Sequence, residues 1–204
     1  EATTPDGEAL TLTLEAGHHV VRVRGELLMS SRVSGSEEAL AHLALDAHGD
    51  TRGLRVLIGG LGLGFTLRAV LDALGPDARV DVLELLEPVV RWNRGPLAHH
   101  AGHALDDPRV ELIVGDVVIH VAGLQHVYDV IILDIDNGPE AFTVKSNDQL
   151  YAARGLAALH AALRPGGTLV LWSAFSSPSF ERRLRAARFA VECLAVRARG
   201  TVGK

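Results

Sequence analysis

Glycines and acidic residues at the ends of predicted strands are the residues of this sequence best placed to do chemistry. Residues 55–66 predict a short aliphatic strand, a tight turn and the start of a helix, and the turn contains Gly59, Gly60, Gly62 and Gly64. Glycine allows backbone conformations that a Cβ forbids, and it exposes peptide N–H groups to a ligand at a helix N-terminus. The segment therefore predicts a turn that binds a nucleotide or a related ligand.

A carboxylate follows this turn at the distance that nucleotide-binding α/β units use to bind ribose hydroxyls. Residues 80–84 predict a second strand, which ends at Glu84, twenty residues after Gly64. A nicotinamide-binding fingerprint would require another glycine where Phe65 stands. The glycines instead follow the tighter G-x-G-x-G pattern of enzymes that use an adenosyl sulfonium, so we predict S-adenosylmethionine or a derivative rather than NAD.

Two more predicted strands lead into polar residues. The third strand is followed by Asp116, and the fourth and most apolar strand leads into Asp134, Asp136 and Asn137. Ligands of doubly wound parallel sheets bind beyond the carboxyl ends of the strands, where all of these side chains are expected to lie. Asp134 is the main candidate for catalysis or substrate contact, although an aspartate there could also cap the following turn.

Alternating strands and helices must position these residues. Further strands are predicted at 168–172 and 189–196, and helices are predicted from the cap Ser36, over 150–163, and after a cap at Ser176, Ser177 or Ser179. This alternation with short connections predicts a doubly wound, parallel α/β sheet.

The N-terminal segment has a different pattern. Short alternating runs at 10–14, 20–24 and 27–29, separated by turns, predict an antiparallel hairpin or meander. Such an element is too small to be stable alone, so it should pack on the main domain or on a second subunit. We therefore predict a β-rich element over residues 1–35, a ligand-binding domain over 36–204, and a homodimer as one way to cover the exposed strand edge.

Composition limits the classes of function. Of 204 residues 48% are hydrophobic but only 4% aromatic, which favours aliphatic packing of helices on a sheet. A net charge of −5 argues against a nucleic-acid-binding surface. The single cysteine, Cys193, cannot form an internal disulfide, and neither a signal peptide nor a membrane-spanning apolar run is found. These features predict a cytoplasmic protein without membrane or nucleic-acid partners.

A histidine group raises the alternative of a metal site. His99 and His103 stand at i and i+4, a spacing that can place two ligands on one helix face, and His100 lies between them. The group falls in a polar connection before the third strand and has no cysteine nearby. We therefore predict no metal.

Four segments together resemble the spermidine synthases, the polyamine aminopropyltransferase family: 56–64, 82–88, 114–118 and 128–139. The resemblance extends over about residues 20–198, and it implies the class I methyltransferase fold, which is a Rossmann-like doubly wound sheet, here with a small N-terminal hairpin or meander. It also implies that residues 36–204 bind S-adenosylmethionine or decarboxylated S-adenosylmethionine as a co-substrate, without a metal.

The resemblance assigns a role to each candidate residue. The glycine turn would hold the amino-acid end of the cofactor, Glu84 its ribose hydroxyls, and Asp116 the adenine amino group. Asp134 would bind the ammonium group of an amine or polyamine and take its proton, so that the neutral amine attacks the sulfonium.

Three departures from the family pattern leave the reaction open. The family has an acidic residue at each of the positions where this chain has Gly62 and Leu86. After the fourth strand, the family has two aspartates separated by two serines. This chain has Asp134, Ile135, Asp136 and Asn137 there. Fewer acids beside the cofactor means less repulsion of a carboxylate, so ordinary S-adenosylmethionine is less disfavoured. The alternatives are aminopropyl or other alkyl transfer to an amine, methylation of a small molecule, and a non-catalytic binding or regulatory relative.

Overall fold

Two β-sheets organise the chain in the computed structural model, which describes residues 1–4, 7–135 and 147–196. The first sheet is antiparallel, and its strands are neighbours in chain order: β1 (Ala2–Thr3), β2 (Ala9–Glu15), β3 (His18–Val23) and β4 (Glu26–Ser30). The turn between β2 and β3 has positive φ angles at Ala16 (48°) and Gly17 (83°), as a two-residue hairpin turn requires. The predicted N-terminal meander is confirmed, with β1 as an additional short strand.

The second sheet has five strands, and every adjacent pair is parallel. The strands are β5 (Arg55–Gly59), β6 (Arg79–Glu84), β7 (Val110–Val114), β8 (Tyr128–Leu133) and β9 (Leu163–Leu171). Their spatial order is β7-β6-β5-β8-β9, so the chain first winds to one side of β5 and then crosses to the other. This confirms the predicted doubly wound sheet.

Helices connect the strands. The α-helices are α1 (Gly35–His48), α2 (Phe65–Ala73), α3 (Glu87–Asn93), α4 (Val117–Val121), α5 (Asn147–Tyr151), α6 (Ala153–Ala162) and α7 (Pro178–Ala186). Two 3₁₀ helices, η1 (Ala98–Ala101) and η2 (Ala104–Asp106), follow α3. No helix in the described ranges is long and apolar enough to cross a membrane.

Each face of the parallel sheet has its own hydrophobic core. Val56 and Ile58 of β5 pack on one face with residues of α1 and α2, whereas Leu57 packs on the other with residues of α4, α6 and α7. Successive side chains of a strand point to opposite faces, so the unbroken apolar run of β5 serves both cores. The paired cores hold the strand ends, and hence the acidic residues, in fixed relative positions.

The N-terminal sheet packs on the main domain of the same chain. Leu10, Val21 and Val23 form a third buried cluster with Leu86 and Val89, which lie after β6 and in α3. The sequence left open whether a second subunit would cover this sheet. The predicted boundary between the β-rich element (1–35) and the ligand-binding domain (36–204) falls at the start of α1. This boundary and the homodimer stay predictions.

Predicted helix ends are partly confirmed. Helix α7 is capped by Ser177, whose side chain accepts a hydrogen bond from the Phe180 N–H. The cap predicted at Ser36 is wrong, because α1 already begins at Gly35 and its N-cap is Ser34. Ser34 and Ser36 both stand directly before the acidic residues of the first turn, so the sequence did not distinguish them as caps.

The predicted helix 150–163 is divided into α5 and α6 at Ala152. Gly155 lies close under this break, since a Cβ there would be 2.4 Å from the carbonyl oxygens of Gln149 and Leu150. Strand β9 also begins earlier than predicted, at Leu163, so the Pro165-Gly166 pair lies inside the strand. Gly166 has a φ of +81°, and the pairing of β8 with β9 shifts register nearby, between Tyr128 and Val130.

The sixth strand predicted at 189–196 is wrong. Residues 189–195 are described and have no regular secondary structure, and Val196 forms only an isolated bridge. Phe189 and Val191 instead pack against the core that contains Leu57. An apolar alternating run becomes a strand only where a partner strand is available, and these two side chains are partly buried by packing alone.

Candidate active site

A crevice that is open to solvent lies beyond the carboxyl ends of β5, β6, β7 and β8. Five residues predicted from the sequence line it: Gly60, Gly62, Glu84, Asp116 and Asp134. They are contributed by four different strand ends, which meet at one edge because the strands are parallel. The fold therefore brings the predicted acids and the glycine turn together.

Gly60 is required by the close approach of two strand ends. Its φ is +93°, and a Cβ would lie 2.2 Å from the carbonyl oxygen of Asp134. The Gly60 N–H donates to the carbonyl of Leu83 at 2.8 Å, so the turn is also tied to β6. No larger residue fits here without displacing the Asp134 backbone.

The other two predicted glycines do not line the crevice. A Cβ at Gly59 would lie 3.0 Å from the side chains of Leu133 and Val117, so this glycine permits packing of β5 against its neighbours. Gly64 is the N-cap of α2, and a Cβ there would lie 2.8 Å from the Cβ of Ala101 in η1. Both glycines therefore allow close packing on the side of the turn that faces away from the crevice.

Glu84 is 7% exposed, and its carboxylate joins the glycine turn to the end of β6. One oxygen accepts from the Leu61 N–H at 2.9 Å, and the other accepts from the Leu86 N–H at 2.7 Å. Burial raises the pKa of this carboxyl group, while the backbone donors act in the opposite direction. No cation within the described part of the chain forms an ion pair with it.

Asp116 is the N-cap of α4. Its Oδ1 accepts from the Val118 N–H at 2.7 Å, while Oδ2 has no hydrogen bond to any described residue. The side chain is partly exposed on the crevice wall. It therefore combines a capping role with one oxygen that is free to accept from a ligand.

Asp134 follows β8 and lies at the junction with the glycine turn. Its Oδ2 accepts a hydrogen bond from the Thr66 hydroxyl at 2.7 Å. Burial raises the pKa of the Asp134 carboxyl group from 3.8 to about 6, Thr66 lowers it, and the negative charge of Glu37 raises it. Asp134 has no cationic partner among residues 1–4, 7–135 and 147–196. A partly buried carboxylate with a raised pKa on the wall of a crevice is typical of functional sites.

Thr66 is a residue that sequence reasoning missed. It is 2% exposed and lies in the first turn of α2, directly after the glycine turn. Its position two residues after Gly64 was the available signal, because the first turn of this helix must face the neighbouring strand ends. The hydroxyl holds the Asp134 carboxylate in a defined orientation.

The N-terminal sheet forms one wall of the crevice, which the sequence did not indicate. Thr4, Val23, Leu28 and Met29 line this wall. Apolar residues from one side and acids from the other favour an organic cation, whose charge faces the carboxylates while its apolar parts contact the wall. Asp136 and Asn137, the other two catalytic candidates, lie outside the described residues.

Comparison with known proteins yields one family by sequence. Residues 34–186 match the spermine/spermidine synthase domain. The chain is 34% identical over 162 residues to a polyamine aminopropyltransferase of Aeropyrum pernix, covering 74% of this chain and 50% of that protein. It is also 34% identical over 145 residues to polyamine aminopropyltransferase 2 of Pseudomonas aeruginosa, covering 66% of this chain and 37% of that protein. The chain thus spans half or less of the length of these relatives.

Solved structures share the fold. A spermidine synthase from Thermotoga maritima aligns with a TM-score of 0.71 at 20% identity, covering 92% of this chain and 63% of that chain. A spermidine synthase in complex with the transition state analogue AdoDATO aligns with a TM-score of 0.74 at 22% identity, covering 92% of this chain and 64% of that chain. At these identities the likeness establishes the α/β architecture with its N-terminal sheet.

Proposed function

The chain belongs to the spermine/spermidine synthase family, and on that premise we propose that it is a transferase that moves an aminopropyl group from decarboxylated S-adenosylmethionine to a small amine or polyamine. The observation that carries the proposal is the partly buried Asp134 carboxylate on the wall of the crevice, oriented by Thr66 and without a described cation. A substrate ammonium group would supply the missing positive charge.

Cofactor binding would use the oxygens that the fold leaves available. The Glu84 carboxylate lines the crevice beside its backbone donors Leu61 and Leu86, and there it would also accept a hydrogen bond from a ribose hydroxyl. Asp116 Oδ2 would accept from the adenine amino group. The bare backbone at Gly60 and Gly62 would contact the aliphatic chain on the sulfonium. A spermidine synthase of this fold was solved in complex with the transition state analogue AdoDATO, which supports placing a ligand of this reaction in the crevice.

Asp134 would then act as the general base. With a pKa of about 6 it is ionised at neutral pH and still basic enough to take a proton from the acceptor. The amine nitrogen forms a bond to the carbon next to sulfur, the carbon–sulfur bond breaks, and its electron pair stays on sulfur. The products are an aminopropylated amine, its surplus proton on Asp134, and neutral methylthioadenosine.

Methyl transfer from S-adenosylmethionine is the second candidate, and one observation favours it. The family's acid is replaced by Gly62, and no described atom lies within 4 Å of the place where a Cβ would stand. The second family acid is replaced by Leu86, which is buried under the N-terminal sheet. The site therefore lacks two negative charges that would repel the carboxylate of S-adenosylmethionine.

The products of turnover test the proposal. The protein is incubated with a diamine and either decarboxylated or ordinary S-adenosylmethionine, and the products are identified by mass. We expect an aminopropylated amine with methylthioadenosine. A methylated amine with S-adenosylhomocysteine would instead establish methyl transfer. Calorimetry could also detect no binding of either cofactor or of methylthioadenosine. That result would indicate a non-catalytic relative of the family.

A charge variant at Gly62 sharpens this test. Gly62→Asp should shift the ratio of the two cofactor affinities about tenfold towards the decarboxylated form, because the new carboxylate repels that of S-adenosylmethionine. Gly62→Asn is the matched control, since it adds the same volume at the same φ of +54° without charge. Equal ratios in the two variants would place the amino-acid end of the cofactor elsewhere.

A further inference from the structure

Three histidines from distant parts of the chain meet outside the crevice. His19 lies in β3, and His99 and His100 lie in η1. One ring nitrogen of each lies within 4.8 Å of the other two. His103, which the i, i+4 spacing had grouped with His99, instead approaches Asp106 at 3.8 Å. The fold therefore builds a different trio from the one that the spacing indicated.

The contact between two of these rings requires a neutral imidazole. His19 Nδ1 lies 2.7 Å from His100 Nε2, and a hydrogen bond between ring nitrogens needs one donor and one acceptor. No carboxylate within the described residues forms an ion pair with any of the three rings. Neutral imidazoles are the ligands that borderline divalent metals bind.

The geometry is close to that of a three-histidine metal site. Tetrahedral zinc with bonds of about 2.0 Å places ligand nitrogens about 3.4 Å apart, which lies between the 2.7 Å contact and the 4.8 Å limit of the cluster. Side-chain adjustments of about 1 Å would suffice. His99 is exposed to solvent, so water can complete the tetrahedron.

We propose that His19, His99 and His100 form a zinc site that ties the N-terminal sheet to the 3₁₀ helix η1. All three donors are imidazole nitrogens, which excludes the oxygen-rich coordination that magnesium and calcium require. The site is independent of the proposed transfer reaction and lies outside the crevice.

The three histidines lie between two elements that adjoin the crevice and the glycine turn. His19 belongs to β3, whose Val23 lines the crevice. On the other side, Ala101 of η1 is the neighbour that a Cβ at Gly64 would strike. A metal held between these elements would fix the wall formed by the N-terminal sheet relative to the glycine turn, and it would stabilise the folded chain.

Metal binding by the whole chain, first freed of metal with a chelator, tests the proposal. Zinc is titrated by calorimetry, and cobalt is used as a spectroscopic probe of tetrahedral nitrogen coordination. We expect one equivalent of zinc per chain, a raised unfolding temperature, and no comparable effect of magnesium. Absence of saturable zinc binding would overturn the proposal.

Single substitutions identify the ligands. His19→Gln and His99→Gln should each weaken zinc binding about tenfold or more, whereas His103→Gln, the control from the same connection, should leave it unchanged. Zinc affinity that is unaffected by both ligand variants would also overturn the assignment. His99 is exposed, so its variant keeps the test valid even if His19→Gln disturbs folding. None of these measurements depends on transferase activity, so the two proposals fail separately.

Discussion

Asp81, a buried residue within the parallel sheet, and Asp134, a partly buried residue just beyond it, have opposite surroundings. Asp81 of β6 is 2% exposed and accepts hydrogen bonds from Arg55 at 2.9 Å and from the Tyr128 hydroxyl at 2.7 Å. Asp134, beyond the carboxyl end of β8, accepts from Thr66 and has no described cation. An aspartate within the sheet, Asp81, is thus paired with a cation, whereas Asp134 at the edge where the crevice lies has no described cation.

The difference separates a structural acid from a candidate functional one. A buried charge is costly unless it is paired and hydrogen-bonded, and Asp81 meets both conditions. Burial and the Asp81 carboxylate both raise the pKa of Tyr128, so the phenol remains a donor. Among the described residues no cation compensates the charge of Asp134, which a cationic ligand would neutralise. Charge balance, rather than burial alone, therefore marks the site.

The largest expected effect is on turnover. Asp134→Asn should lower kcat by about 10² to 10⁴-fold, because the amide cannot take a proton, while cofactor affinity stays within about threefold. Asp129→Asn is the matched control on the same strand, where the carboxylate pairs with Arg164 at the opposite end. Steady-state kinetics with saturating substrates measure both. Full turnover in Asp134→Asn would exclude Asp134 as the base.

The next effect is on the pH dependence of stability. The Asp134 pKa of about 6 in the folded state exceeds its ordinary value of 3.8, so the folded protein binds this proton more tightly than the unfolded chain. The resulting stabilisation is full below about pH 4 and lost as pH rises through about 6.

Urea unfolding from about pH 4 to about pH 8 measures this contribution. Relative to Asp134→Asn, the free energy of unfolding of the unmutated protein should fall by about 3 kcal/mol across that range. Using the difference between the two proteins cancels the titration of other groups. A difference that does not change with pH would show that Asp134 is not a buried, unpaired acid.

A smaller effect is expected at the balanced aspartate. Asp81→Asn should lower the free energy of unfolding by about 2 kcal/mol at neutral pH, because it leaves Arg55 without its partner. The loss is moderate because the Arg55 side chain is 44% exposed to water. Asp134→Asn should cause no such loss. Chemical denaturation of the two variants compares them directly, and equal destabilisation would remove the distinction.

The smallest effect is on cofactor affinity. Glu84→Gln should weaken binding of decarboxylated S-adenosylmethionine about tenfold, because the amide NH₂ faces backbone donors and one acceptor for ribose is lost. Glu111→Gln, on the exposed side of the neighbouring strand β7, is the control. Calorimetry measures both affinities. If Glu84→Gln bound as tightly as the control, the ribose would have to lie elsewhere.

Local patterns predicted the parts of the fold that depend on neighbouring residues. The aliphatic runs and the glycines predicted β5, β6, β7 and β8 with the turn before α2, and the family resemblance followed from the same segments. Patterns that also need a distant partner failed. Within the described residues, the run 189–196 forms only an isolated bridge at Val196 and no ladder. Ser36 competes with Ser34 for the start of α1.

By itself, the sequence determined which residues would lie at one edge of the sheet, because motif spacing sets where strands end and parallel strands end together. Only the tertiary structure decided which acids of the sheet and its edge are neutralised. Arg55 reaches Asp81, and Thr66 reaches Asp134 across 68 residues, while His19 meets His100 across 81. Electrostatic balance depends on distances in space, and residues so far apart in the chain acquire those distances only when the sheets and helices pack.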